Sequence, residues 1–186
     1  MSDALIPKEG IKMYVEIKSR QTDIGGAGLF GEEGSQLPKM LEDISAVQDP
    51  EVSGRRSGRE DCVLSCEGIF SQGEDGMLCL SYDEQLLGTG EYCNTAVCFY
   101  PDSPKRVTVV RSGAVSSSFV IEEKRRQISV YSTPYGPLEM CVWAKKVKNA
   151  MGADGGTIEM DYAVELKGMS AQRTGITVTA RPASDT

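Results

Sequence analysis

The stretch GTIEMDYAVELKG, residues 156–168, decides the fold class of this chain. Apolar and charged side chains alternate strictly along it. One face carries Ile158, Met160, Tyr162, Val164 and Leu166, and the other carries Glu159, Asp161, Glu165 and Lys167. Such alternation predicts an antiparallel β-strand with one face buried and one face in water.

The same two-residue period recurs on both sides of this stretch, between turn signals rich in Gly, Pro, Asn and Asp. The further candidate strands are IKMYVEIKSR (11–20), EDCVLSCEGIF (60–70), GMLCLSYDE (76–84), EYCNTAVCFY (91–100), KRVTVVRSG (105–113), SSFVIEE (117–123), RQISVYSTP (126–134), PLEMCVWAKKV (137–147) and TGITVTARP (174–182). So many short strands with short connections predict an all-β, antiparallel up-and-down barrel of about eight to ten strands. A two-sheet sandwich is the structural alternative.

The whole chain, residues 1–186, is interpreted as one domain with a flexible insertion at residues 21–60, between the first two strands. Within the insertion, LPKMLEDISAV (37–47) has roughly helical spacing and predicts at most one short helix. IGGAGLFG (24–31) has the glycine spacing of a dinucleotide-binding fingerprint. That fingerprint needs a βαβ unit, which the alternating strands cannot supply, so this segment is predicted to be a loop.

Composition excludes several classes of function. The net charge of -7 disfavours nucleic acid and anionic membranes as partners. The chain has no apolar run long enough for a membrane helix and no signal sequence at its start, which favours a cytoplasmic location. It has no histidine, which removes the usual nucleophilic triads and histidine metal sites. We therefore expect no catalytic residue, metal or cofactor, although histidine-free proton transfer by Glu84 or Asp83 is a remaining enzymatic hypothesis.

The six cysteines lie within apolar runs and are predicted to be small core residues rather than a disulfide framework. Cys62 and Cys66 are the closest pair in sequence. If both lie in one strand they are about 13 Å apart, which is too far for a disulfide.

Polar residues continue two of the apolar stripes. Arg111 follows Val107 and Val109 on one strand face, and Tyr82 and Glu84 continue the stripe of Leu78 and Leu80. If these stripes point inward, the Arg111 guanidinium needs a carboxylate partner, and Glu84 is the candidate. Tyr131, Tyr135 and Tyr162 are further candidates for hydrogen-bonding positions around the interior.

The order of several short elements between residues 66 and 181 resembles the YwiB-like family of bacterial cytoplasmic proteins. The elements are CEG with LCLSYDE, then NTAVCF, VTVVRSG, SVYSTPYGPLEMCV and GTIEMDYAVEL. The resemblance covers nearly the whole chain apart from the insertion. It implies a calycin-type, lipocalin-like barrel of unknown function, and it implies no activity, substrate or cofactor.

Two non-enzymatic functions remain open from the sequence beside the enzymatic hypothesis. The first is non-enzymatic binding of a small hydrophobic or amphipathic ligand in the barrel lumen, with Arg111, Glu84, Tyr82, Tyr131, Tyr135 and Tyr162 at its polar end. The second is a structural or interaction protein in which Arg111 and Glu84 satisfy each other, the barrel is filled, and the outer face docks a partner or forms a homodimer. Trp143 shares its strand face with Glu139, Cys141 and Lys145, so it is a candidate contact residue and a possible dimer seam.

Overall fold

The computed structural model describes residues 6–7, 9–23, 59–85, 90–113, 116–133, 136–166 and 171–183. These residues form ten β-strands and no helix. The strands are β1 Ile11–Asp23, β2 Arg59–Gln72, β3 Leu78–Gln85, β4 Tyr92–Phe99, β5 Arg106–Gly113, β6 Ser117–Glu122, β7 Arg126–Thr133, β8 Gly136–Asn149, β9 Gly156–Leu166 and β10 Ala171–Pro182.

The strands form one antiparallel sheet in the order β6-β5-β4-β3-β2-β1-β10-β9-β8-β7. The first and last strands pair along most of their length, from Met13 with Pro182 to Asp23 with Gln172. The edge strands β6 and β7 are consecutive in the chain and pack together where the wall closes. A hydrogen bond from the Lys124 amide to the Ala144 carbonyl, 2.8 Å, ties their connection to β8. The result is a nearly closed barrel, as predicted, and not a sandwich.

Burial follows the alternation of the sequence. In β9, Ile158, Met160 and Tyr162 are buried, whereas Glu159 and Asp161 lie on the outer face. Most buried residues in the described part of the other strands, β7 excepted, follow the same alternation apart from a register shift in β8, because each successive Cβ in a strand points to the opposite side of the wall. The largest fully buried side chains are Phe70, Met13, Leu80, Ile121, Ile158, Val15, Val97, Val107, Val142, Val147 and Val178.

The inward surface divides into an apolar half and a polar half. Consecutive strands run in opposite directions, so every second connection lies at the same end of the barrel. One end carries the connections 73–77, 100–105, 123–125 and 150–155. The inward residues nearest that end are apolar, for example Leu78, Phe99 and Val107. Toward the opposite end the same strands carry Glu84, Thr95 and Arg111.

Two sequence-based expectations need correction. The insertion is shorter than predicted, because β1 continues through 21–23 and β2 already includes 59–60. The predictions made for 24–31 and 37–47 lie outside the described residues.

The second correction concerns the cysteines. Cys79 and Cys98 are joined by a disulfide between β3 and β4, with Cα atoms 4.1 Å apart. The two residues are direct cross-strand partners, so their proximity depends on strand pairing and is invisible to reasoning along one strand. Cys62, Cys66, Cys93 and Cys141 are in no disulfide in the described part of the chain.

Candidate ligand-binding site

Three neighbouring strands build the polar half of the barrel. The register aligns Tyr82 of β3 with Thr95 of β4, and Thr95 with Arg111 of β5. Glu84 lies two residues beyond Tyr82 on the same face, opposite Cys93. These side chains point inward because they continue the buried stripes that the apolar half begins.

Glu84 is the centre of this group. Its Oε1 accepts a hydrogen bond from the Thr95 hydroxyl, 2.7 Å, and lies 3.4 Å from Nη2 of Arg111. Glu84 and Thr95 are buried, while the Arg111 side chain keeps 29% of its surface accessible. The Arg111–Glu84 pair predicted from the strand pattern is therefore present, at the polar end of the interior.

The Arg111 guanidinium also has an unused donor. Its Nε is buried and has no hydrogen-bond partner among the described residues. Burial acts to lower the pKa of Arg111. The Glu84 carboxylate acts in the opposite direction, and Tyr82 and Tyr162 add smaller contributions. The net effect is a pKa above the usual value of arginine. The side chain is thus a permanent cation with one N–H that can still satisfy an acceptor.

Two tyrosines complete the polar half. Burial raises the pKa of Tyr82, and the Glu84 charge raises it further. Burial raises the pKa of Tyr162 in β9 to about 12, while Arg111 opposes the shift. The Tyr162 ring packs against Phe119, with ring centroids 6.4 Å apart. Both phenols therefore stay neutral at physiological pH.

The other two predicted tyrosines are Tyr131 and Tyr135. The backbone of Tyr131 lies in β7 opposite Leu138, and Tyr135 lies outside the described residues. The prediction that they bind a ligand stays a prediction.

Sequence reasoning missed Thr95 and Cys66. Thr95 continues the inward stripe of Phe99 and Val97, so the rule that found Arg111 could also have found it. Cys66 lies on the inward face of β2, where burial, then the charges of Glu84 and Asp83, raise the pKa of its thiol. A thiol held neutral in this way is a weak nucleophile.

This group offers a permanent cation, neutral hydroxyl groups and a carboxylate that is already paired. Among the described residues, no three histidine, cysteine, aspartate or glutamate side chains converge to hold a metal ion.

The apolar half is filled by its own side chains. Phe70, Leu80, Val107, Ile121 and Ile158 have no accessible surface. A side chain that lined a space large enough for water would keep some, so no such space adjoins these residues. The prediction of a ligand in the barrel lumen stays a prediction, and the polar half is the part of the lumen that it concerns.

No helix among the described residues combines the length and hydropathy needed to cross a membrane.

Comparison with known proteins agrees with this architecture. A crystal structure of the ywiB protein from Bacillus subtilis is similar in fold, with a TM-score of 0.65, 18% sequence identity and 95% of each chain covered. No curated protein matches the sequence. Residues 49–178 match the family described as Domain of unknown function (DUF1934). The chain therefore belongs to this family, a YwiB-like barrel family whose function is not established.

Proposed function

We propose that this protein binds a small amphipathic molecule at the polar half of the barrel, with the acidic group of the ligand at Arg111. The observation that carries the proposal is the buried, unpartnered Nε of Arg111. A buried donor without an acceptor costs about 1–3 kcal/mol, and a carboxylate or phosphate oxygen would remove that cost.

Access to the site also supports the proposal. Arg111 is partly accessible, whereas its partner Glu84 is almost fully buried. An incoming anion would therefore contact the accessible part of the guanidinium first, and it would reach the buried Nε by a small rotation of the Arg111 side chain. Glu84, held by Thr95, would keep the guanidinium at the site. Tyr82 and Tyr162, both neutral, would supply hydroxyl groups and ring surface beside the ligand.

The filled apolar half limits the ligand to a short one. No water-sized space adjoins Phe70 or Leu80, so a long alkyl chain directed toward them would have to displace packed side chains. We therefore expect short carboxylates to bind more favourably per atom than long ones.

The test is a titration followed by NMR with octanoate as the anionic probe and octylammonium as the matched cationic probe. Octanoate is expected to shift the backbone amide signals of Thr95 and Arg111 in a saturable way, and octylammonium is not. Arg111→Met should weaken octanoate binding by about tenfold or more, because a charge-assisted contact is lost.

The matched control is Arg106→Met on the same strand, since Arg106 is exposed at the opposite end of β5. It should leave octanoate binding unchanged. Equal binding of the two probes, or equal binding by wild type and Arg111→Met, would refute the proposal.

A second candidate function is that of an interaction protein, in which the filled barrel is a scaffold that docks a protein partner or a second copy. The packed apolar half favours it. Size-exclusion chromatography coupled to light scattering would detect a homodimer. If the protein is a monomer at every concentration, self-association is excluded, and docking of a different protein is the remaining version of this function. The cytoplasmic location predicted from the sequence stays a prediction.

A further inference from the structure

We propose that the outer surface around Trp143 docks an acidic protein segment that carries an apolar side chain. This basic tip surface consists of Trp143, Ile128, Lys124, Arg125, Arg126 and Lys145. The inference rests on the second candidate function, for which it names the surface and the chemistry of the partner, and it is independent of ligand binding at Arg111.

The fold brings these residues together from two places in the sequence. Arg126, at the start of β7, is the cross-strand partner of Trp143 in β8. The connection before β7 is fixed to β8 by the hydrogen bond from the Lys124 amide to the Ala144 carbonyl. Lys124 has a φ of 60°, the one positive φ of a non-glycine residue in the described ranges. The tip therefore holds an uncommon backbone conformation against β8.

A β-bulge in β8 adds one more cation to this surface. The register of β8 with β9 shifts between Ala144 and Lys146, so Lys145 has no partner in the described register with β9. Its neighbour Lys146 contacts Glu159, with Nζ and Oε2 2.7 Å apart. Bulges redirect side chains out of the regular ladder, and here the redirected side chain is an exposed lysine next to Trp143.

Charge complementarity indicates an acidic partner. No carboxylate of the described residues lies within ion-pair distance of Lys124 or Lys145. Arg125 contacts Glu122 at 3.0 Å but stays largely exposed. Local positive charge on a chain with net charge -7 attracts a short acidic segment within a Debye length, while the rest of the molecule repels an extended polyphosphate.

Two exposed apolar side chains indicate that the partner also carries an apolar anchor. Trp143 is 40% exposed and Ile128 is 69% exposed, on the same outer face of adjacent strands. Tryptophan and arginine are enriched among the residues that dominate protein–protein binding energy. Because the surface is small, we expect a weak and transient complex.

The chain has a single tryptophan, so intrinsic tryptophan fluorescence reports on this surface alone. The probe is a short peptide of glutamates with a central Leu-Phe pair. Its matched controls are the same peptide with Gly-Gly at the centre, the same peptide with lysines in place of glutamates, and an oligothymidylate.

The Leu-Phe acidic peptide is expected to change Trp143 fluorescence in a saturable way and to bind more tightly than all three controls. Lys124→Glu combined with Lys145→Glu should weaken its binding by about tenfold, and the neutral pair Lys124→Gln with Lys145→Gln should weaken it less. Lys12→Glu combined with Lys18→Glu makes the same change in net charge on the outer face of β1 and should have little effect.

Three results would each overturn the proposal. The β1 control variant could lose as much binding of the Leu-Phe acidic peptide as the Lys124→Glu, Lys145→Glu variant, the Gly-Gly peptide could bind as tightly as the Leu-Phe peptide, or oligothymidylate could bind more tightly than the Leu-Phe peptide. The outcome is separable from the ligand site. Arg111→Met should bind the acidic peptide like wild type, and the doubly charge-reversed tip variant should bind octanoate like wild type.

Discussion

The two halves of the barrel interior are built by the same strands but differ in what holds them together. Phe70, Leu80 and Val107 form a dry layer whose stability comes from removing apolar surface from water. A few residues further along, Arg111 and Glu84 are withdrawn from water at a cost that their mutual contact only partly offsets. A barrel of this size can be filled with apolar side chains alone, so the polar half is the part that function is expected to explain.

The largest expected effect lies in the apolar half. Phe70→Ala removes a side chain without accessible surface that packs against Phe99, with ring centroids 6.3 Å apart. Loss of burial and the cavity left behind should lower the free energy of unfolding by about 3–5 kcal/mol. Urea denaturation measures the change.

The control for this prediction is Ile128→Ala, which removes an apolar side chain from the outer face. A change below about 0.5 kcal/mol is expected for it. Similar losses for both variants would mean that the interior and exterior assignments of these strands are wrong.

The next effect appears at alkaline pH. The pKa of Tyr162 is raised by burial to about 12 in the folded protein, against about 10 in the unfolded chain. Because the pKa of Tyr162 is higher in the folded protein than in the unfolded chain, its contribution to the free energy of unfolding is fully present below pH 10. This contribution is lost as the pH rises toward 12. The share of the loss that comes from Tyr162 should reach about 3 kcal/mol, measured as the difference between wild type and Tyr162→Phe by urea denaturation across this pH range.

Tyr162→Phe should remove the Tyr162 share of that pH dependence and leave the share of Tyr82, whose pKa burial also raises. Phe in place of the exposed Tyr92 should change the pH dependence less than Tyr162→Phe does. An unaltered slope in Tyr162→Phe would show that its phenol is not buried in the polar half.

A smaller effect is expected from neutralising one partner of the buried pair. Glu84→Gln leaves the Arg111 charge without its carboxylate and should lower the free energy of unfolding by about 2 kcal/mol, since Arg111 retains some contact with water. Asp83→Asn is the matched control, because Asp83 is the adjacent residue and faces solvent. A change in Asp83→Asn as large as that in Glu84→Gln would contradict the assigned strand faces.

The smallest effect is expected on the outer wall. Asp161 accepts two hydrogen bonds from Arg173, at 2.8 and 2.6 Å, and these bonds lower the pKa of Asp161. A lowered folded pKa contributes stability above the unfolded value, and this contribution is lost as the pH falls into the acid range. Asp161→Asn should cost less than about 1 kcal/mol at neutral pH, because the pair is partly exposed. If Asp161→Asn lowered the free energy of unfolding more than Glu84→Gln does, the proposed ranking of interior charge pairs above exterior ones would be wrong.

The barrel could be predicted from the sequence because each strand carries its own period-two pattern. The pattern in 156–168 also assigned Tyr162 to the buried face, and the stripes of β3 and β5 placed Glu84 and Arg111 on the same side of the wall. Alternation is a local property of each strand, so the amino-acid sequence of that strand is enough to detect it.

Contacts that depend on register could not be predicted in the same way. Cys79 and Cys98 meet because β3 and β4 pair with one particular offset, and single-strand patterns do not encode that offset. The inward face of Thr95 follows from the alternation of β4, but its contact with Glu84 depends on the register of β3 and β4. The density of packing in the apolar half is likewise a property of the assembled interior.

The central claim is that Arg111 and Glu84 act as one unit inside the barrel, and a double-mutant cycle tests it most directly. Unfolding free energies would be measured by urea denaturation for wild type, Arg111→Met, Glu84→Gln and the combined variant. We predict a coupling free energy of about 1–3 kcal/mol between the two residues. Additivity within about 0.3 kcal/mol would contradict the account, because it would mean that the two side chains do not share the interior.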